Sequence, residues 1–217
     1  MKKTLLKGIY AITPDDLNKE ELYKKVHKLL QNGVRIIQYR DKLRSSEDKL
    51  IISKQLKTIC QSFDSLLIIN DDIHIAKKIN AHGVHLGQKD ISCNEARNIL
   101  GSDPIIGISC QNNFELALKA QCEGADYVAF GSIFKTTTKK DVVYCSLKDL
   151  KDFVEKIQIS SVAIGGINFS NFQEVKRSGV DMIAMSSELF LQKEMPELEL
   201  FYRKEKLILI FLHRIYF

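Results

Sequence analysis

Short runs rich in isoleucine and valine recur along this chain, and each gives way at once to polar residues or glycine. Ile36–Ile37 leads into Gln38, Arg40 and Lys42, and Leu66–Ile69 into Asn70 and Asp71. Gly83–Leu86 leads into Gly87, Gln88 and Asp90, and Ile105–Ile108 into Ser109. Tyr127–Ile133 precedes Thr136, Thr138 and Lys139, and Val162–Ile164 precedes Gly165–Gly166. Eight β-like runs are placed near Gly8–Thr13, Val34–Tyr39, Leu66–Ile69, Gly83–Leu86, Ile105–Ile108, Tyr127–Phe130, Val162–Ile164 and Met182–Met185. They are hydrophobic throughout, the pattern of strands buried on both faces. Acids, bases and glycines at the ends of buried strands predict one functional face built from many strand ends, which a parallel β/α barrel provides.

Helical periodicity fills the intervals. Leu22, Val26, Leu29 and Leu30 form an i, i+4, i+7, i+8 stripe, and Phe114–Cys122 and Leu147–Ile157 repeat it. A less regular stripe runs through Leu50, Lys54 and Lys57 with Ile51, Leu56 and Ile59. Helix ends are expected at Gly33, Gly101, Gly124 and Gly179, where glycine relieves the left-handed C-terminal turn. Unbroken strand–helix alternation predicts an α/β fold, and eight units predict closure into a single (β/α)8 TIM barrel. No GxGxxG follows the first strand, which argues against a dinucleotide fold.

The 217 residues fit one domain, near the lower end for a barrel, with an atypical apolar helix or tail at about residues 195–217. That tail is expected to pack as the last barrel helix, or to cover a subunit interface or a membrane surface. The net charge of +5 suits a lysine-rich solvated surface. No basic run interleaves with aromatics and there is no Trp, so nucleic acid is not an expected partner. The five cysteines are odd in number and lack CxxC spacing, so they read as reduced thiols. The basic start, Met1–Lys7, has no long apolar stretch behind it, and the longest apolar run, Leu207–Leu212, is far shorter than the ~20 residues of a membrane span. The expected compartment is the cytoplasm, and a homo-oligomer is compatible with the sequence.

The strand-end clusters carry the chemistry. Gln38, Arg40 and Lys42 alternate, so on an extended strand they share a face. Two cations and an amide on one face suit a phosphate or diphosphate, and equally a solvated strand end with Arg40 paired to a carboxylate. Asp71 and Asp90 follow consecutive strands whose loops lie side by side. The two could share a hard cation, and Mg²⁺ fits because it takes few carboxylates and completes its shell with water and phosphate oxygens. Helix capping by Asp72 or Asp90 is the structural alternative. His82 and His85 are three apart on a strand and face opposite ways, so a shared metal is not expected. Thr136, Thr138 and Lys139 fit a phosphate-contacting loop, or a polar turn. Gly166 after strand seven, with Ser186 and Ser187 after strand eight, falls where barrels often bind phosphate on backbone amides.

Taken in order, these residues resemble the thiamine-phosphate synthase family. The likeness rests on Tyr10-Ala-Ile-Thr13, Gln38-x-Arg40-x-Lys42, Ile69-Asn70-Asp71, the run from Gly83 to Asp90, Gly107-Ile-Ser-Cys110, the run from Gly124 to Gly131, Thr136-x-Thr138-Lys139 and Ala163-Ile-Gly-Gly-Ile167. It implies a transferase that joins 4-amino-2-methyl-5-(diphosphooxymethyl)pyrimidine to a thiazole phosphate and releases diphosphate. By that resemblance Gln38, Arg40, Lys42, Asn70, Ser109 and Lys139 contact the pyrimidine diphosphate, with Arg40, Lys42, Ser109 and Lys139 assisting its departure. Asp71 and Asp90 hold Mg²⁺, and Thr136, Thr138, Gly166, Ser186 and Ser187 hold the thiazole phosphate. The chain departs from the pattern at Lys135, where proline is usual, at Ser186, where an apolar residue is common, and at Glu188, where a small one is. A thiazole tautomerase on the same barrel and a non-catalytic phosphate-binding protein are the competing readings.

Overall fold

The computed structural model describes residues 2–135, 143–191 and 198 of the chain. Eight strands run parallel: β1 (Gly8–Ile12), β2 (Ile36–Tyr39), β3 (Leu66–Asn70), β4 (Gly83–Leu86), β5 (Ile105–Gln111), β6 (Tyr127–Phe130), β7 (Ser160–Ile164) and β8 (Met182–Met185). Each pairs with its sequence neighbour, and β1 also pairs with β8 through Gly8–Met182 and Tyr10–Ala184. The sheet is therefore a closed barrel with no exposed edge. The helices between and after the strands are α1 (Lys19–Gln31), α2 (Ser46–Gln61), α3 (Ile73–Lys78), α4 (Cys93–Leu100), α5 (Phe114–Cys122), α6 (Leu147–Val154), α7 (Phe172–Lys176) and α8 (Ser187–Phe190).

Local chemistry explains where the helices start and stop. Asn18, Ser45, Asp72, Ser92, Asn113 and Ser146 each accept a hydrogen bond from a backbone amide of the following first turn. Ser92 and Glu95 complete a reciprocal capping box. The α1 stripe of Leu22, Val26, Leu29 and Leu30 is buried as the periodicity predicts. In α2 the buried face is Ile52, Leu56 and Cys60, while Ile51 is exposed, so the sequence stripe was displaced around the helix. The i, i+4, i+8 set of Ile52, Leu56 and Cys60 faces the sheet, and Leu50 and Ile59 only flank it.

Two apolar layers result. The larger lies between sheet and helices. The smaller fills the barrel lumen with Tyr10, Ile12, Ile36, Leu66, Ile68, Ile105, Tyr127, Val162 and Met182, and Leu6 joins it at the N-terminal end. Side-chain parity sends Gln38, His85, Ser109 and Tyr127 inward as well. Room for the Tyr127 ring comes from Gly107, its register partner on β5, where an added Cβ would fall inside the ring.

Gly107→Ala is expected to cost about 2–3 kcal/mol through overpacking. That lowers the melting temperature by roughly 5–10 °C for a domain of this size. Gly124→Ala, at a helix end with φ of +86° and open space around it, should cost only about 1–2 kcal/mol from backbone strain. Thermal unfolding of the two variants separates the two effects.

Candidate active site

The C-terminal ends of β2, β3 and β4 open onto a cleft of about 500 Å³. Lys42, Asn70, Asp71, Asp72, Lys89 and Asp90 are among its lining residues. Asp71 follows β3 directly and takes a left-handed backbone conformation, φ 60°, uncommon for a residue with a side chain. Its amide donates to the carbonyl of His85 at 2.8 Å, which ties the loop after β3 to β4. Asp90 sits in the loop after β4, where its Oδ2 accepts from the Gly87 amide at 2.7 Å. The Asp71 and Asp90 carboxyls lie close enough to influence one another's charge. Burial pushes the Asp90 carboxyl above the usual carboxylate range and the Asp71 charge adds to this, while the Gly87 amide and Lys42 pull it back. Lys42 forms an ion pair with Asp71. The neighbouring acid Asp72 caps α3 by accepting from the Ile75 amide at 2.8 Å. The sequence left capping open for Asp72 and Asp90; the first caps a helix, and the second faces Asp71.

The β2 cluster divides where the sequence pattern placed three residues on one face. The strand ends at Tyr39, so alternation does not extend to Lys42. Gln38 points into the lumen, where its Nε2 donates to the Tyr10 hydroxyl at 2.8 Å. Arg40 pairs with Asp15 at 2.6 Å, and the same carboxylate accepts from the Lys42 amide at 2.8 Å. Asp15 thus orients both cations from the loop after β1. Sequence reasoning missed Asp15, although an acid following the Tyr10–Thr13 run carried the same strand-end signal. Asp41, between the cations, is buried and holds the turn together. It accepts from the Leu43 and Arg44 amides, from the Tyr39 hydroxyl at 3.0 Å, and from the Arg44 guanidinium. Burial alone would raise its carboxyl, but these four donors outweigh that and hold it below the usual range.

Inside the barrel mouth, Ser109 on β5 is joined to His85, whose Nε2 lies 2.9 Å from Oγ. His85 is buried and stacks on Tyr127 with ring centroids 5.6 Å apart. It is a lumen residue, and His82 faces elsewhere, so the two do not share a face. His82 instead accepts from the Leu67 amide through Nδ1 at 2.8 Å. Cys110, beside Ser109, is buried, and burial pushes its thiol up to about 12, so it packs and does not act as a nucleophile. All five cysteines are free thiols.

Across the mouth, the loops after β6 and β7 interlock. The Ile133 and Phe134 amides donate to the Ile164 and Gly165 carbonyls at 3.0 and 2.9 Å. Gly166 has φ of +63°, and a Cβ there would meet the Lys135 carbonyl at 2.5 Å. Its lack of a side chain is required by chain packing, whatever ligand approaches. Ser186 and Ser187 begin α8, directly after β8. The Glu188 carboxylate turns toward the Phe169 amide, 3.4 Å away, and so is occupied on the α7 side. Lys135 is exposed. Thr136, Thr138 and Lys139, and all of the apolar tail except Leu198, lie outside the described residues. Among the described residues no group of three or more His, Cys, Asp or Glu forms a complete metal cage, and no helix is long and apolar enough to cross a membrane.

The family model described as thiamine monophosphate synthase matches residues 9–189. The chain belongs to the thiamine monophosphate synthase family. It is 44% identical over 183 residues to a thiamine-phosphate synthase of Nitrosospira multiformis, covering 84% of this chain and 78% of that one. It is 40% identical over 195 residues to one of Thioalkalivibrio sulfidiphilus, covering 89% and 92%. A solved thiamine phosphate pyrophosphorylase of Pyrococcus furiosus superposes with a TM-score of 0.82 at 33% identity, over 93% of this chain and 96% of that one. The matched span contains all eight strands but for Gly8 at the start of β1, and every strand-end cluster of the cleft. Membership in the thiamine monophosphate synthase family thus accounts for the barrel.

Because the Asp41 carboxyl is held below its unfolded value of ~3.9, its contribution to stability is full above that value and lost as pH falls through the native one. Asp41→Ala takes the acceptor from the half-buried Arg44 guanidinium and from three other donors, and should cost about 2–3 kcal/mol at neutral pH. The loss should shrink toward pH 3, which denaturant unfolding across pH would measure.

Proposed function

We propose that this thiamine-phosphate synthase joins the pyrimidine and thiazole substrates in a Mg²⁺-dependent transfer, with the Asp71–Asp90 pair holding the cation. The observation that carries this reading is the convergence of Asp71 and Asp90 in one cleft, with Lys42 paired to Asp71. Burial and the Asp71 charge together raise the Asp90 carboxyl, even with Lys42 beside the pair. A hard dication removes that cost and suits an all-oxygen donor pair. When bound, Mg²⁺ would neutralise charge on the diphosphate.

The protein's own groups supply the rest. Arg40, oriented by Asp15, and Lys42, anchored through its backbone amide, offer positive charge to phosphate oxygens on the same side of the mouth. Asn70 ends β3 at the cleft wall, in register with His85. As the bond from the pyrimidine methylene carbon to diphosphate oxygen breaks, the electron pair leaves with the diphosphate. Donors and cations fixed in advance stabilise that developing charge. The aminopyrimidine ring releases electrons to the methylene carbon, and the thiazole nitrogen supplies the pair for the new C–N bond. No protein nucleophile is needed, which accords with the inert Cys110 thiol. Gly166 and the start of α8 at Ser186 and Ser187 would hold the thiazole phosphate across the mouth. A carboxylate at position 188 would repel a phosphate, but Glu188 turns toward the Phe169 amide instead. The carboxylate pair with its adjoining cations supports transfer over the tautomerase and binding-protein readings, neither of which uses a diphosphate leaving group.

The deciding experiment gives purified protein both substrates and measures diphosphate release with Mg²⁺ and with chelator. Release that needs both Mg²⁺ and the thiazole phosphate is expected. Asp71→Ala should lower turnover by at least about 100-fold, the order of loss when charge stabilisation at a leaving group is removed. Full activity in chelator would overturn the metal assignment. Asp90→Asn, which removes the repulsion with Asp71, should raise the melting temperature of metal-free protein slightly and abolish its rise on adding Mg²⁺.

A further inference from the structure

Five side chains from five strands form one continuous chain of hydrogen bonds across the barrel. Gln38 Nε2 lies 2.8 Å from the Tyr10 hydroxyl, and Tyr10 lies 2.8 Å from the Tyr127 hydroxyl. Tyr127 lies 3.0 Å from His85 Nδ1, and His85 Nε2 lies 2.9 Å from Ser109 Oγ. One end of the chain is an amide and the other opens at the catalytic face. The direction of every link follows from counting hydrogens. Both phenols are buried, and burial holds both pKa values above the ordinary one, so each keeps its single proton. Tyr10 receives a hydrogen from the Gln38 amide and must send its own to the Tyr127 oxygen. Tyr127 must then donate to His85 Nδ1. The ring therefore carries its proton on Nε2 and donates to Ser109. With its oxygen serving as acceptor, Ser109 has its own hydrogen left for a ligand.

The opposite polarity has the opposite consequence. Were the Gln38 carbonyl turned toward Tyr10, every link would reverse. The ring proton would sit on Nδ1, and Ser109 would spend its hydrogen on Nε2. A lone pair would then face whatever binds above it, which repels an anion. We propose that Gln38 is a positioning residue that acts through Tyr10, Tyr127 and His85 to make the Ser109 hydroxyl a hydrogen donor toward the departing diphosphate. The ligand half of this inference rests on the synthase reading, whereas the polarity of the chain does not.

The test reads the imidazole tautomer in the resting protein, without substrate. Protein labelled with ¹⁵N in its histidine rings gives two-bond proton–nitrogen spectra, and the His85 signals are those lost in His85→Gln. The wild type is expected to show His85 protonated on Nε2 and bare on Nδ1. In Gln38→Glu, read above the pH at which the buried carboxyl ionises, the carboxylate only accepts, so the ring proton should move to Nδ1 and kcat should fall by roughly 10- to 100-fold, the scale of a hydrogen bond to a charged group. With Tyr127→Phe added, the link is cut and Gln38→Glu should no longer move the proton. A wild-type ring protonated on Nδ1 would overturn the proposal without recourse to any variant, as would an unmoved tautomer in folded Gln38→Glu. Because the tautomer is read without turnover, a wild type inactive toward both substrates would count against the synthase reading alone.

Discussion

The Tyr127 ring crosses the β5 backbone at Gly107, and the polar half of the lumen depends on that contact. Any side chain at Gly107 would displace the ring and, with it, the hydroxyl that joins Tyr10 to His85. His85 stacks against the same ring, so its plane and its aim at Ser109 are set there as well. Below this layer the lumen is aliphatic and closed by Leu6. Above it the barrel opens to charged groups. One aromatic ring therefore separates a core that needs no partners from a mouth whose every polar atom needs one.

Charge is unevenly distributed around that mouth. The loops after β2, β3 and β4 carry the cations and carboxylates, with Asp15 reaching them from the loop after β1. The loops after β7 and β8 offer glycine, serine and backbone instead. These two halves suit two different ligand groups, one densely charged and one held by neutral donors. Each half is braced by residues that have no part in chemistry. Asp41 folds the turn that carries Arg40 and Lys42, and the interlock of Ile133 and Phe134 with Ile164 and Gly165 sets the opposite wall. Gly166 belongs to that bracing, since the Lys135 carbonyl already occupies the space of a side chain.

The carboxylate pair shows how tertiary contact changes the properties of ordinary residues. Asp71 and Asp72 are adjacent in the chain, yet one faces a second acid and a lysine while the other caps a helix. The left-handed backbone at Asp71 turns its side chain out of the strand direction and toward the loop after β4. Strain of this kind persists where the surroundings hold it, here through the bond from the Asp71 amide to the His85 carbonyl.

Much of the barrel was legible because burial on both faces writes an unbroken apolar run into each strand, and such runs are local. The eight strands, the glycine helix ends and the presence of polar residues at one end of every strand all follow from neighbours along the chain. The α2 stripe was misread because Ile51 and Ile52 differ by one position, and only the sheet beneath the helix selects between them. Parity set His82 and His85 on opposite faces, but the partners of His85, Tyr127 and Ser109, lie 42 and 24 residues away, and Tyr10 meets Tyr127 across 117. No local pattern encodes such distances, and the strand-end rule says nothing of which cation meets which acid. The sequence by itself determined the α/β alternation, the candidate residues and the end of the barrel they occupy, because those depend on period and polarity. Only the tertiary structure decided that Lys42 meets Asp71, that Arg40 meets Asp15, and that five side chains join into one directed chain, because barrel closure sets those distances.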